Sequence, residues 1–181
     1  MGVSRVGQAW WDQVAASTSV GEQAKEGKAM KYIGIDPGFS GAWGMIDHNN
    51  KYIACGDMHH TDKHILTQFV FAEIIDNLHG DDCEVVVETV HSMPKQGVAS
   101  SFKFGVAYGG AVALAERLHC AWHMATPQLW KKALKLDSDK QKSLDLARQF
   151  WPTAPLKRQK DNGRAEALLM AYWLRKQNGH D

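Results

Sequence analysis

The segment Tyr32-Ile-Gly-Ile-Asp-Pro-Gly-Phe-Ser-Gly-Ala-Trp-Gly-Met-Ile46 constrains this chain more than any other stretch. An apolar run stops at Asp36, turns at Pro37-Gly38 and resumes at Ala42. This order predicts two neighbouring strands joined by a tight turn. It also holds one carboxylate among main-chain amides that small residues leave accessible. A carboxylate held this way binds a hard cation such as Mg2+ or sits opposite a phosphate. The plainer alternative is a hairpin whose turn simply favours Asp, Pro and Gly. The choice depends on whether other acids reach the same place.

The following elements predict where such acids lie. Residues 31–36 and 42–47 read as strands, and Lys51 to Met58 extends them into an antiparallel meander. From Lys63 to Leu78, Ile65, Leu66, Phe69, Val70, Ile74, Ile75 and Leu78 recur at helical spacing. Gly80-Asp81-Asp82 closes that helix, and Cys83-Glu-Val-Val-Val-Glu88 is a β-branched run of the kind found in buried parallel strands. Val90 to Gly97 reads as a loop and 101–118 as a helix rich in small residues. Cys120 to Ala125 reads as a short strand. Thr126-Pro127 reads as a helix start with Thr126 as cap. Helices over 139–150 and 166–175 follow. The order predicts an α/β domain: a mixed sheet, three antiparallel strands plus parallel strands, flanked by helices.

The 181 residues, 44% hydrophobic and 23% charged, suit one globular domain, placed at residues 30–178. Residues 1–29 read as an extension, a short helix or a disordered segment, with Met30 as an alternative start. No apolar run looks long enough to span a membrane. Three cysteines without C-x-x-C spacing favour a reduced compartment. Nine histidines lack the spacing of a zinc site. Net charge is +1, yet residues 30–125 carry −5 and residues 126–176 carry +7. A basic C-terminal third suits a polyanionic partner, although a solvated helical surface has the same composition.

Two acids share one kind of position, since Asp36 and Glu88 both close apolar strands. The carboxyl ends of neighbouring strands line the usual crevice of an α/β sheet. A buried Glu88 needs a partner or a cation, unless it emerges into solvent. A third acidic group, Asp161-Asn-Gly-Arg-Ala-Glu166, opens the last helix, where the helix dipole by itself favours an acid. Together these acids suit a divalent-metal cluster, and two Mg2+ ions there would activate water in phosphodiester cleavage.

In this order, the motifs Ile33-Gly-Ile-Asp-Pro-Gly-Phe-Ser-Gly41, Val85-Val-Val-Glu-Thr89, Ser101-Phe-Lys-Phe-Gly105 with Gly109-Gly110, and Gly163-Arg-Ala-Glu-Ala-Leu-Leu169 resemble RuvC-type Holliday junction resolvases of the ribonuclease H-like superfamily. The phage-type versions are the most similar, and the resemblance spans residues 31–175. It implies a homodimeric endonuclease with two Mg2+ per site, Mn2+ substituting. Such an enzyme cuts four-way DNA junctions by paired symmetric nicks that leave 5′-phosphates, in recombination, repair or phage DNA processing. The setting implied is the cytoplasm of a bacterial or phage-infected cell, with no membrane partner. Asp36 and Glu88 match the strand-end ligands and Glu166 the helix-borne acid, with Asp161 completing the shell. Lys140 stands near the place of a basic residue used at the scissile phosphate. Phe102, Lys103, Lys131, Lys132, Lys157, Arg158, Lys160 and Arg164 are the implied DNA contacts.

Two departures stand out. The family places a fourth acid just before the helix-borne one, but position 163 is Gly and position 162 is Asn. Asp161, five residues before Glu166, would turn off its face on a continuous helix. An aromatic expected after the second acid is replaced by His91, with Met93 and Pro94 nearby. The missing acid makes a junction-binding protein without catalysis the alternative. An ATPase of the actin and sugar kinase group shares the Asp-Pro-Gly turn but needs a second lobe.

Overall fold

The computed structural model describes residues 28–89 and 97–179. Residues 1–27 and the loop positions His91, Met93 and Pro94 lie outside them. Five strands form one sheet: β1 (Met30–Asp36), β2 (Ala42–Asp47), β3 (Tyr52–Asp57), β4 (Asp82–Glu88) and β5 (Ala121–Ala125). Their order is β3-β2-β1-β4-β5. β1, β2 and β3 form the antiparallel meander, while β4 runs parallel to β1 and β5 parallel to β4. The mixed sheet is the one the sequence predicts.

Alternation along the central strands divides the core in two. Ile33, Ile35, Val85 and Val87 face one side, where α1 (Thr67–Leu78) and α2 (Val98–Arg117) pack through Val70, Ile74, Ala107, Ala111 and Leu114. Tyr32 and Val86 face the other side, under α3 (Pro127–Ala133), α4 (Lys140–Phe150) and α5 (Asn162–Gln177). The run Ala165 to Ala171, apolar except for Glu166, keeps α5 buried nearly all round apart from its ends. Such a helix must lie directly on the sheet, and two glycines permit it. A Cβ on Gly34 would fall 2.0 Å from the Ala167 carbonyl oxygen, and one on Gly44 would fall 2.8 Å from the Leu168 nitrogen.

Local chemistry sets the element ends. The Thr126 hydroxyl accepts from Leu129 N (3.3 Å) at the start of α3, as predicted, and Asp139 accepts from Gln141 N (2.9 Å) at the start of α4. Buried Lys31 donates to the Asn77 and Leu78 carbonyls (2.7 and 2.9 Å) and pairs with Asp81. It thereby satisfies carbonyls left open at the end of α1 and ties that helix to β1.

Three expectations shift. α1 starts at Thr67 rather than Lys63, because the Thr61 hydroxyl accepts from Lys63 N and His64 N and holds a turn there. The last helix starts at Asn162 rather than Glu166, so Glu166 sits one turn inside it. Finally, α2 has 20 residues and contains an 18-residue stretch of mean hydropathy 1.3, long and apolar enough to cross a membrane by length and composition. The expectation that no run has that length therefore fails. Alanines, valines and phenylalanines raise its hydropathy, while Ala107, Ala111, Leu114 and Ala115 pack it on the domain's own core.

Gly34→Ala should destabilise the domain by about 3 kcal/mol or more, because backbone rather than a side-chain tip must give way. Urea denaturation should show a lower midpoint with an unchanged slope.

Candidate active site

β1 and β4 are parallel neighbours with Ile35 opposite Val87. The next residues, Asp36 and Glu88, therefore leave the sheet side by side at its carboxyl edge. α5 crosses this edge and adds Glu166. Glu88 and Glu166 are buried, while Asp36 is partly open to solvent. Burial, then the charges of Glu88 and Glu166, push the Asp36 carboxyl well above the usual carboxylate range, while Lys140 and Lys131 work against the rise. Burial raises Glu88 as well, opposed by a hydrogen bond from Trp130 and reinforced by Glu166.

Glu88 and Glu166 each have one oxygen engaged. Trp130 Nε1 donates to Glu88 Oε1 at 2.9 Å. Lys131 Nζ lies 2.6 Å from Glu166 Oε1 and is itself largely shielded, and Ser143 Oγ donates to the same oxygen at 3.3 Å. Trp130 and Lys131 are consecutive on α3, so one short helix serves two acids. Asp36, by contrast, is governed chiefly by burial and through-space charge.

The structure brings Asp36, Glu88, Glu166 and Lys140 into one electrostatic cluster but leaves Asp161 outside it. Arg158 takes both Asp161 oxygens: its backbone N donates to Oδ2 (2.7 Å), and its Nε and Nη2 donate to Oδ1 (2.9 and 2.7 Å). Burial opposes ionisation of Asp161, yet these bonds prevail and hold its carboxyl below the usual range. The pair closes a 3-10 turn, Gln159–Asp161, leading into α5. The position that does face the cluster is Gly163, where a Cβ would stand 3.5 Å from Asp36 Oδ2 and 3.3 Å from the Ser40 carbonyl oxygen. Asn162, the other departure noted in the sequence, precedes it.

The expected DNA contacts divide likewise. Arg164 makes a two-bond pair with Asp57 (2.6 and 2.7 Å), Arg158 holds Asp161, and Lys131 holds Glu166. Lys132, Lys157 and Lys160 are exposed. Phe102 is 74% exposed, and Lys103 Nζ stands 4.4 Å above the Phe39 ring. Lys131 and Lys132 line a cavity of about 380 Å³ beside the site, with Pro127, Gln128 and Leu136. Sequence reasoning missed Trp130 and Ser143 altogether. Trp130, directly before Lys131 on a short helix, carries only a weak signal; Ser143 carries none.

The donor set is all carboxylate oxygen, which suits a hard divalent cation. Mutual repulsion among the acids is what such a cation relieves. Among the described residues, however, no three His, Cys, Asp or Glu side chains converge on one point at metal-ligand spacing. The acids thus form a charged cluster rather than a closed shell.

No family model and no curated protein matches the sequence significantly. Solved structures do match. The chain superimposes on Thermus thermophilus RuvC in complex with a Holliday junction substrate at TM-score 0.58 and 17% identity, covering 83% of this chain and 96% of that one. A second Thermus thermophilus RuvC structure matches at TM-score 0.49 and 19% identity, with coverage of 82% and 97%. Sheet order, the helices on both faces and the superposition define a ribonuclease H-like domain. More particularly, it shares the fold of RuvC.

An acid whose pKa is raised by folding binds its proton more tightly folded than unfolded. Its ionisation at neutral pH therefore subtracts from stability. Without divalent cation, Asp36→Asn should raise Tm by several degrees at pH 7.5. The gain should shrink as pH falls towards about 4, where the wild-type carboxyl is itself protonated. Calorimetry in EDTA across this range measures both.

Proposed function

We propose that this chain is a divalent-metal-dependent, structure-selective endodeoxyribonuclease that resolves four-way DNA junctions as a homodimer. One observation carries the reading: Asp36, Glu88 and Glu166 meet at the carboxyl edge of β1 and β4 with two lysines beside them, on a RuvC-type fold. That the similar Thermus thermophilus protein is in complex with a Holliday junction supports the substrate class.

Mg2+ or Mn2+, when bound by Asp36 and Glu88, supplies Lewis acidity at the phosphodiester. The chain's own residues do the rest. Lys140 and Lys131 set positive charge where the scissile phosphate brings negative charge. Trp130 holds Glu88 in orientation, and Lys131 with Ser143 holds Glu166. Water oxygen adds to phosphorus, the bond from phosphorus to O3′ breaks, and a proton passes to O3′, leaving a 5′-phosphate and a 3′-hydroxyl. Two protomers related by two-fold symmetry suit the symmetry of the junction and its paired nicks. Exposed Lys132, Lys157 and Lys160 supply the phosphate contacts, and Phe102 with Lys103 presents a further DNA-facing pair. A bacterial or phage-infected cytoplasm is the proposed setting.

Asp36→Asn should lower junction cleavage on the order of 10³-fold or more while preserving junction binding. Wild-type rates from that variant in a labelled-junction assay would overturn the site assignment. Replacing Lys132, Lys157 or Lys160 by Ala should weaken junction binding. It should also flatten the dependence of log affinity on log salt by about 1 for each phosphate no longer neutralised.

A second reading, junction binding without cleavage, is favoured by the bare backbone at Gly163 and by the capture of Asp161. It predicts a wild type that binds junctions but cuts none in Mg2+ or Mn2+, and cleavage by Gly163→Asp. Asn162→Asp serves as the neighbouring control.

A further inference from the structure

Among the described residues, the site has fewer free acids and more fixed positive charge than a pair of divalent ions needs. Three carboxylates approach one another, and Lys131 and Lys140 act on both Asp36 and Glu88. Glu166 Oε1 already accepts from Lys131 and from Ser143. Lys131 is held firmly, since its ammonium is largely shielded from solvent and lies 5.1 Å from the Trp130 ring centroid. Gly163, which faces Asp36, offers no ligand, and Asp161 is committed to Arg158. A small hard cation that keeps much of its water needs only one or two carboxylates from the protein, with phosphate oxygens supplying more. Asp36 and the second oxygen of Glu88 meet that need. A second ion would have to compete with the Lys131 ammonium for Glu166, at a place where like charges repel.

We propose that this site takes a single divalent cation, on Asp36 and Glu88, and that the Lys131 ammonium, fixed by Glu166 and Ser143, supplies the second positive charge at the scissile phosphate. The inference rests on the nuclease reading above and replaces with one ion the two that the family resemblance implies. Lys131 is accordingly a group of the reaction centre, rather than one more contact to the DNA backbone.

Counting bound Mn2+ by electron paramagnetic resonance tests the proposal. The full chain is titrated with Mn2+, alone and bound to a four-way junction made hydrolysis-resistant by phosphorothioate linkages at the branch. Wild type should bind one Mn2+ per protomer and give the spectrum of isolated ions. The double variant Lys131→Met with Gly163→Asp should bind two. At the spacing of roughly 3.5–4 Å usual for paired sites, those ions couple and broaden the spectrum. Two coupled ions in wild type overturn the proposal, as does no bound ion, and so does a double variant that still binds one. Cleavage of ordinary junctions by the same wild-type preparation separates the two readings. Cleavage with two bound ions overturns the single-ion site alone. One bound ion with no cleavage of any branched DNA overturns the nuclease reading and leaves the ion count standing.

Discussion

Everything at the site depends on how closely α5 lies against β1 and β2. The helix can rest its backbone on the sheet because Gly34 and Gly44 carry no side chain where Ala167 and Leu168 pass. That contact fixes the height of α5 above the sheet, and with it the height of Glu166. One turn earlier, Gly163 passes Ser40 and Asp36 at a wider spacing, with a Cβ position 3.3 Å from the Ser40 carbonyl oxygen and 3.5 Å from Asp36 Oδ2. An acid far along the chain from Asp36 thus reaches the ends of β1 and β4. Burial of the Ala165–Ala171 run on both sides of the contact holds it there.

The same closeness brings like charges together, so the cluster is an electrostatic liability as well as a site. Asp36 and Glu88 resist ionisation, and Lys131 and Lys140 offset part of the cost. The rest of the basic C-terminal third is less free than its composition implies. Arg158 serves Asp161, and Arg164 serves Asp57 on the end of β3. The exposed lysines at 132, 157 and 160 are among the charges this region offers to an outside phosphate. A regional charge counts side chains without knowing which of them are already paired.

Some of this was legible in the linear chain. Asp36 and Glu88 could be placed because each ends an apolar β-rich run, and the position of a residue on a strand is a local property. Thr126 before Pro127 announces its cap in the same way. Glu166 was legible as an acid near a helix start, though the helix in fact begins four residues sooner, at Asn162. The partners of Asp161 and Lys131 were not legible, for one shared reason. Asp161 was expected in the metal shell and Lys131 on a phosphate, and each has a partner inside the domain, Arg158 for the first and Glu166 for the second. An ion pair is decided by which charged groups end up within reach, and no local pattern encodes that.

The amino-acid sequence by itself determined the alternation of strands and helices, the mixed sheet and the two acids at strand ends, because periodicity, branching and turn residues act over a few neighbours. Only the tertiary structure decided that Gly163 rather than Asp161 faces Asp36, that Trp130 and Ser143 hold the buried acids, and that Lys131 stands inside the cluster. Those outcomes depend on the distance between α5 and the sheet and on the placement of α3, which follow from packing across the whole domain.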